Sequence, residues 1–150
     1  MPIDATRDQE IPSSCGLRVE IPKGSNWTEV AEGYVRLREE WNVRLRESGL
    51  AVDRHATVEL GSQGEPLAWI VRLDRIQETV PPGFTTVPPR RGLVCAVRDA
   101  SSITAEKIRS LTDDLPKGSK AGGLYARFEP KGGEGGMVVL VLPYTPGRGG

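Results

Sequence analysis

Apolar and polar residues alternate over residues 17–21, and the apolar spacing then lengthens to three and four. The alternation predicts a half-buried strand, which Pro22 ends. The longer spacing predicts an amphipathic helix, because positions three and four apart share one helix face. Asn26 is its expected N-cap with Glu29 as capping-box partner, and Gly49 is expected at the C-terminal end. The apolar face consists of Trp27, Val30, Ala31, Tyr34, Leu37, Trp41 and Leu45.

The same order of elements recurs further along the chain. Two alternating strands joined by a short loop follow the helix, and a proline-rich connector then leads to a second run of elements. Strand, helix, strand, strand is therefore expected twice. The later expected segments are strands at 55–60 and 67–73, the connector at 74–91, a strand at 93–97, a helix at 103–114, strands at 124–128 and 137–142, and a hairpin tip at 132–136.

This order predicts an α+β fold made of duplicated β-α-β-β halves with pseudo-twofold symmetry, in which antiparallel sheets carry helices on one face. The halves are expected at about 15–75 and 85–146, within one domain at 15–146. Residues 1–14 and 147–150 are expected to be flexible. We expect the halves to meet face to face and leave an aromatic-walled cleft, which is a common place for a ligand.

Composition and charge narrow the functional classes. Lys and Arg together number 20, as do Asp and Glu, and the isoelectric point is about 6.6. No long-range positive field gathers nucleic acid or an anionic membrane, so neither is an expected direct partner. No apolar run reaches the ~18 residues that span a bilayer, and the polar start does not resemble a signal peptide. With Cys15 and Cys95 expected to be reduced and at least partly buried, the cytoplasm is the expected location.

Motifs for familiar cofactors and catalytic centres do not occur in the sequence. His55 is the one histidine, which gives no zinc-ligand spacing and no obvious catalytic triad. The glycine-rich stretch at 132–136 lacks the Lys-Ser/Thr ending of a phosphate-binding loop. We therefore expect no metal and no cofactor, and an enzyme is the less favoured class.

Three aromatic residues are candidates for binding a ligand. Trp41 and Trp69 are suited to stacking on a flat molecule or a cation, although both positions also suit core packing. Tyr34 could present its hydroxyl to a ligand, but its place on the apolar helix face equally suits the core with the oxygen at the rim.

Three residues on strands complete the candidate site. Glu59 could bind a cation or act as a general base, or could be a solvated strand residue. Arg127 could pair with Glu59 or with an anionic ligand, or could be a surface charge. Tyr125 could offer a hydroxyl to the ligand.

Three stretches resemble the GyrI-like family, the gyrase-inhibitor-like or effector-binding domains of bacteria. They are the aromatic–Leu–Trp helix that runs from Tyr34 to the Gly49–Leu50 pair, the proline connector at 80–97, and the last strand running into Pro143. The resemblance implies that a small aromatic or cationic molecule binds in the cleft between the halves, as in multidrug-binding and resistance proteins. It also implies a stand-alone member, because 150 residues leave no room for a helix-turn-helix domain.

Three functions follow from these features. The first is a binding protein that senses or sequesters a small aromatic or cationic ligand. The second, which some members of the family perform, is hydrolysis of a reactive natural product, for which Glu59 is the candidate catalytic residue. The third is an inhibitor that contacts a protein partner such as gyrase.

Overall fold

The computed structural model describes residues 5–130 and 136–147. Within them, nine strands form one antiparallel sheet in the order β1-β6-β9-β8-β3-β4-β2-β5, and β7 also pairs with β9. The elements are β1 (Thr6–Ile11), β2 (Ser14–Glu20), α1 (Trp27–Leu45), β3 (Ala56–Leu60), β4 (Pro66–Arg72), β5 (Thr85–Val87), β6 (Arg90–Val97), α2 (Ala105–Asp113), β7 (Lys120–Ala121), β8 (Tyr125–Phe128) and β9 (Val138–Thr145).

Helix α1 begins at the predicted N-cap, and the 3₁₀ turn that continues it ends at the predicted glycine. Asn26 Oδ1 accepts a hydrogen bond of 2.8 Å from the Glu29 backbone N–H, and Glu29 Oε1 accepts one of 3.0 Å from the Asn26 N–H. The helix passes into a short 3₁₀ turn at Arg46–Ser48. Gly49 then has a φ of 71°, a left-handed conformation that glycine adopts without steric cost. The capping box and the glycine end are thus confirmed.

The main core lies between the two helices and one face of the sheet. Alternate residues of the strands point to that face, among them Val58 of β3, Ala126 of β8 and Leu140 of β9, all with 0% exposure. They pack with Tyr34 of α1 and Leu111 of α2. Both cysteines are free and buried in this core. The opposite face of the sheet carries neither helix; we call it the open face.

The two runs of elements join edge to edge and not face to face. Strands β3 and β8 form an antiparallel ladder that pairs Val58 with Ala126 and Glu59 with Tyr125. The Leu60 N–H extends the ladder by donating to the Leu124 carbonyl at 3.0 Å. The expected cleft between facing halves is therefore replaced by a continuous sheet. Duplication with pseudo-twofold symmetry stays a prediction.

The N-terminal segment contains a strand that the sequence analysis missed. Residues 1–14 were expected to be flexible, but β1 pairs with β6 from Thr6↔Cys95 to Ile11↔Arg90. Backbone hydrogen bonds and the burial of Ile11, which is 7% exposed, hold this polar segment on the sheet. Strand β5, inside the connector, likewise extends the other end of the sheet by pairing with β2. Most of the expected hairpin tip at 132–136 and of the tail at 147–150 lies outside the described residues.

Candidate ligand-binding site

The open face brings together polar and apolar side chains from the middle of the sheet. Directly opposed residues of antiparallel strands point to the same face, so the ladder register assigns each side chain. Glu59 opposes Tyr125, and Thr57 opposes both Arg127 and Ile70. All of these alternate with Val58 and Ala126, which face the helices. The open face also carries Arg18 and Gly16 of β2, Arg72 of β4, Val139 and Val141 of β9, and Val94 of β6.

Two adjacent cavities lie on this face, with volumes of about 410 and 500 Å³. Cavities that hold small molecules commonly measure roughly 300–1,000 Å³. Arg72 and Tyr125 line both cavities, so these two side chains lie at the boundary between them. We call the two cavities together the open-face hollow. Among the described residues that line it are four arginines (Arg18, Arg72, Arg90 and Arg127) and two glutamates (Glu59 and Glu129).

Two of these arginines form ion pairs with carboxylates of the chain. Arg18 Nε donates to Glu59 Oε2 at 3.0 Å and its Nη2 donates to Oε1 at 3.4 Å. The hydrogen bond with Glu59 raises the pKa of Arg18. Arg127 instead pairs with Asp53, which lies just before β3. Of the two partners suggested for Arg127, Glu59 is therefore paired with a different arginine, and an anionic ligand stays a prediction.

Of the four arginines that line the hollow, Arg90 and Arg72 have no counterion in the described part of the chain. Arg90 lines one cavity, whereas Arg72 lines both. The Arg72 guanidinium makes no hydrogen bond or ion pair within the described part of the chain, although the side chain is half-buried. Burial lowers the pKa of Arg72, and the charge of Arg127 lowers it further. A buried charge without a partner is costly, because protein replaces the water that would stabilise it.

Three polar groups close to Arg72 also lack a partner. Thr57 is 3% exposed, and its Oγ1 has no hydrogen bond in the described structure. The Nε atom of Arg127 is also buried and also has no hydrogen-bond partner in the described structure. The Tyr125 hydroxyl has no partner among residues 5–130 and 136–147. Most buried polar groups in proteins are hydrogen-bonded to protein or to ordered water, so these groups leave hydrogen-bonding capacity for a water or a bound molecule in the hollow.

A small apolar cluster lies next to these polar groups. Ile11, Val94 and Val141 are buried together on the open face, and Val139 and Tyr125 pack against them. Ile11 comes from β1, so this strand, which was not predicted, contributes to the apolar cluster. The hollow therefore offers an unsatisfied polar centre beside an apolar surface.

The remaining sequence candidates lie on the other side of the sheet. Tyr34 is fully buried, and its hydroxyl donates to the Asp53 carbonyl at 2.6 Å. Trp69 packs against α1, and its Nε1–H donates to the Val30 carbonyl at 2.8 Å. The structure thus brings Glu59, Tyr125 and Arg127 together, whereas Tyr34 and Trp69 pack in or against the core.

Trp41 lies at the far end of α1. Its ring packs edge-on against Phe84 with centroids 5.2 Å apart, and the Arg44 guanidinium lies 4.8 Å above it. It lines a separate cavity of about 540 Å³ with residues of the connector, including Val80 and Pro82. Trp41 is therefore not part of the open-face hollow.

Three residues of the hollow, Arg18, Thr57 and Arg72, were not predicted as site residues. Each lies on a predicted strand between two residues that point to the core, and this alternation was the available signal. The alternation predicts that these three side chains lie on the face of the sheet opposite the core, but it does not predict that this face is concave.

Solved structures with the same fold include a crystal structure of the EcmrR C-terminal domain. It superposes with a TM-score of 0.61 at 10% identity, covering 96% of this chain and 99% of that chain. The chain has the fold of that domain. A cryo-EM structure of an EcmrR–DNA complex gives a TM-score of 0.60 at 10% identity and covers 95% of this chain. The chain spans 57% of the EcmrR chain in that complex.

The likeness to EcmrR concerns the fold alone. No protein-family model and no curated protein matches the sequence, so membership of the GyrI-like family stays a prediction. Among the described residues, no group of three or more His, Cys, Asp or Glu side chains could hold a metal ion. No described helix is long and apolar enough to cross a membrane.

Proposed function

We propose that the chain binds a small organic molecule with an aromatic or apolar body in the open-face hollow, and so senses or sequesters it. The observation that carries this proposal is the meeting of two ligand-sized cavities at Arg72 and Tyr125. The apolar cluster around Val94 and Val141 supports binding of the body of such a molecule. The fold shared with the EcmrR C-terminal domain is consistent with this use.

Binding without turnover is favoured over hydrolysis. Glu59, the candidate catalytic residue, is the one carboxylate among the described residues that line its cavity. Both of its oxygens accept hydrogen bonds from Arg18. General acid–base catalysis of hydrolysis commonly uses a group free to exchange a proton, and often a second such group beside it. No contact of the described residues favours the third function, a partner protein such as gyrase.

A thermal-shift screen of flat aromatic compounds tests the proposal, because a ligand that binds the folded state raises its melting temperature. At least one compound is expected to stabilise the chain, and Tyr125→Ala is expected to remove most of that shift. Trp41→Ala is the matched control, since it truncates an aromatic side chain that lines the separate cavity of the connector.

Each shift is measured from the variant's own melting temperature, so that a loss of stability is not mistaken for a loss of binding. If Trp41→Ala abolishes the shift and Tyr125→Ala leaves it intact, the ligand binds at the connector cavity and the open-face assignment is wrong. A screen in which no compound stabilises the chain would contradict small-molecule binding as a whole.

A further inference from the structure

Building on the proposed function, we propose that the ligand of the open-face hollow is an amphipathic organic anion whose acidic group binds to Arg72. The resemblance to the GyrI-like family instead implies an aromatic or cationic ligand. The charges of the hollow decide between these two classes.

A cation has no free carboxylate to bind in the centre of the hollow. Of the two glutamates that line the hollow, Glu59 already forms a two-point hydrogen-bonded pair with Arg18, and Glu129 lies 3.6 Å from the guanidinium of Arg54. A cationic ligand would have to compete with an arginine for either carboxylate. An anion meets no such competition, because Arg72 is unpaired within the described residues.

Arg72 also has the position that the inference requires. It lines both cavities of the hollow, so a group bound to it can direct the rest of the molecule into either one. Burial and the neighbouring charge of Arg127 both disfavour the protonated guanidinium. An anion placed between the two arginines would offset both costs, since it pairs with one charge and screens the repulsion between them.

The hollow has one further accessible hydrogen-bond donor for the same group. Arg127 Nε, Thr57 Oγ1 and the Tyr125 hydroxyl lack partners within the described structure. A carboxylate has about four acceptor positions on its two oxygens, and a guanidinium binds it with two parallel bonds. Because Thr57 Oγ1 and Arg127 Nε are fully buried, the Tyr125 hydroxyl is the donor that one acidic group is able to reach together with Arg72.

The rest of the ligand is expected to be apolar. The cluster of Val94, Val139 and Val141 borders the polar centre and offers no hydrogen-bonding side chain. A free inorganic anion would leave this surface uncovered. We therefore expect an apolar body attached to the acidic group.

Calorimetric titration with matched naphthalene probes tests the charge of the ligand. The probes are 2-naphthoate, its neutral amide 2-naphthamide, the cation 2-naphthylmethylammonium, and acetate, which has the acidic group without the body. We expect 2-naphthoate to bind at least about tenfold more tightly than each of the others, as charge-assisted hydrogen bonds and apolar burial imply.

Variants then identify the residue that binds the charge. Arg72→Gln is expected to weaken 2-naphthoate about tenfold or more and to change 2-naphthamide by less than about threefold. Arg109→Gln is the matched control, because it removes the same charge from an exposed position on α2. It is expected to leave both affinities unchanged.

The outcomes separate this inference from the proposed function. If the amide or the ammonium probe binds as tightly as 2-naphthoate, or if Arg72→Gln leaves 2-naphthoate binding intact, the anion assignment is wrong while small-molecule binding survives. If none of the probes binds, both are contradicted. A second copy of the chain covering the open face would appear as a dimer in sedimentation and would also overturn the assignment.

Discussion

Gly33 allows α1 to approach Trp69 more closely than any other residue would permit. A Cβ atom at this position would lie 2.4 Å from Cζ2 of the indole. The ring cannot simply move away, because its Nε1–H is bonded to the Val30 carbonyl on the same helix. The contact explains why a residue with poor helix propensity stands in the middle of α1.

Gly33→Ala is therefore expected to destabilise the fold although alanine favours helix. Overpacking costs roughly 1–3 kcal/mol, and a contact as short as 2.4 Å belongs to the upper part of this range, which exceeds the gain of about 1 kcal/mol in helix propensity. Urea unfolding measures the difference in free energy. Glu39→Ala on the exposed side of α1 is the control, with an expected change within about 0.5 kcal/mol. A Gly33→Ala variant as stable as the parent would show that the indole is able to shift.

Half of the predicted site residues reach the open-face hollow, and the reason lies in which face of the sheet the helices cover. On β4, Trp69 and Ile70 are both apolar, so the sequence alone does not decide which one faces α1. The structure gives Trp69 to the helix and Ile70 to the hollow. Arg72, which shares the face of Ile70, was missed for the same reason. Glu59 was found because a single acidic residue stood out between Val58 and Leu60.

At the scale of elements, α1 was predictable because its signals are local. The capping box joins Asn26 to a residue only three positions on, and such bonds form within the segment itself. Strand β1 has no comparable signal, since Ile11 is the one buried residue among six that are otherwise exposed. Its order comes from backbone pairing with β6, about eighty residues away, which no local pattern records.

Asn26→Ala is expected to reduce the free energy of unfolding by about 1 kcal/mol, because the Glu29 N–H would lose its acceptor. Asn26→Asp keeps a side-chain oxygen at the cap and adds a negative charge at the helix N-terminus, so it is expected to be at least as stable as the parent. Denaturant titration of the three proteins measures both changes. Equal losses in the two variants would mean that the side-chain acceptor is not what stabilises this end of α1.

At the scale of the whole molecule, the order of elements was predictable but their association was not. Outward from the β3·β8 pair, the strands follow in the order β3, β4, β2 on one side and β8, β9, β6 on the other. In both runs the strand that comes first in the sequence is therefore the outermost of the three. Two runs of this kind could pack face to face or pair edge to edge, because both arrangements bury the same alternating residues. The choice rests on the exposed backbone edges of β3 and β8, which the hydrophobic pattern does not describe. It moves the candidate site from a cleft between halves to the open face of one sheet.

The attachment of β1 to this sheet is expected to depend on pH through Asp8. Its carboxylate accepts hydrogen bonds from the Tyr144 hydroxyl at 2.6 Å and from Arg91 at 2.9 Å. The bond from Tyr144, followed by Arg91, lowers the pKa of Asp8 in the folded state. A carboxyl whose folded pKa lies below its unfolded value, about 3.9, stabilises the fold above that value. The contribution is lost as the pH falls through the folded pKa.

Asp8→Asn tests this dependence when the stability of variant and parent is measured by denaturant titration from pH 7 down to pH 2. The parent is expected to be the more stable protein above about pH 4, with the gap closing at lower pH as Asp8 takes up a proton. Hydrogen exchange should show faster exchange of the β1 amides in the variant at neutral pH, because the strand then loses its ion pair with Arg91 of β6 and weakens its hydrogen bond with Tyr144 of β9. Glu10→Gln is the control on the same strand, since Glu10 has no ion pair among the described residues. A gap between Asp8→Asn and the parent that stays constant down to pH 2 would mean that the charge of Asp8 does not hold β1 to the sheet.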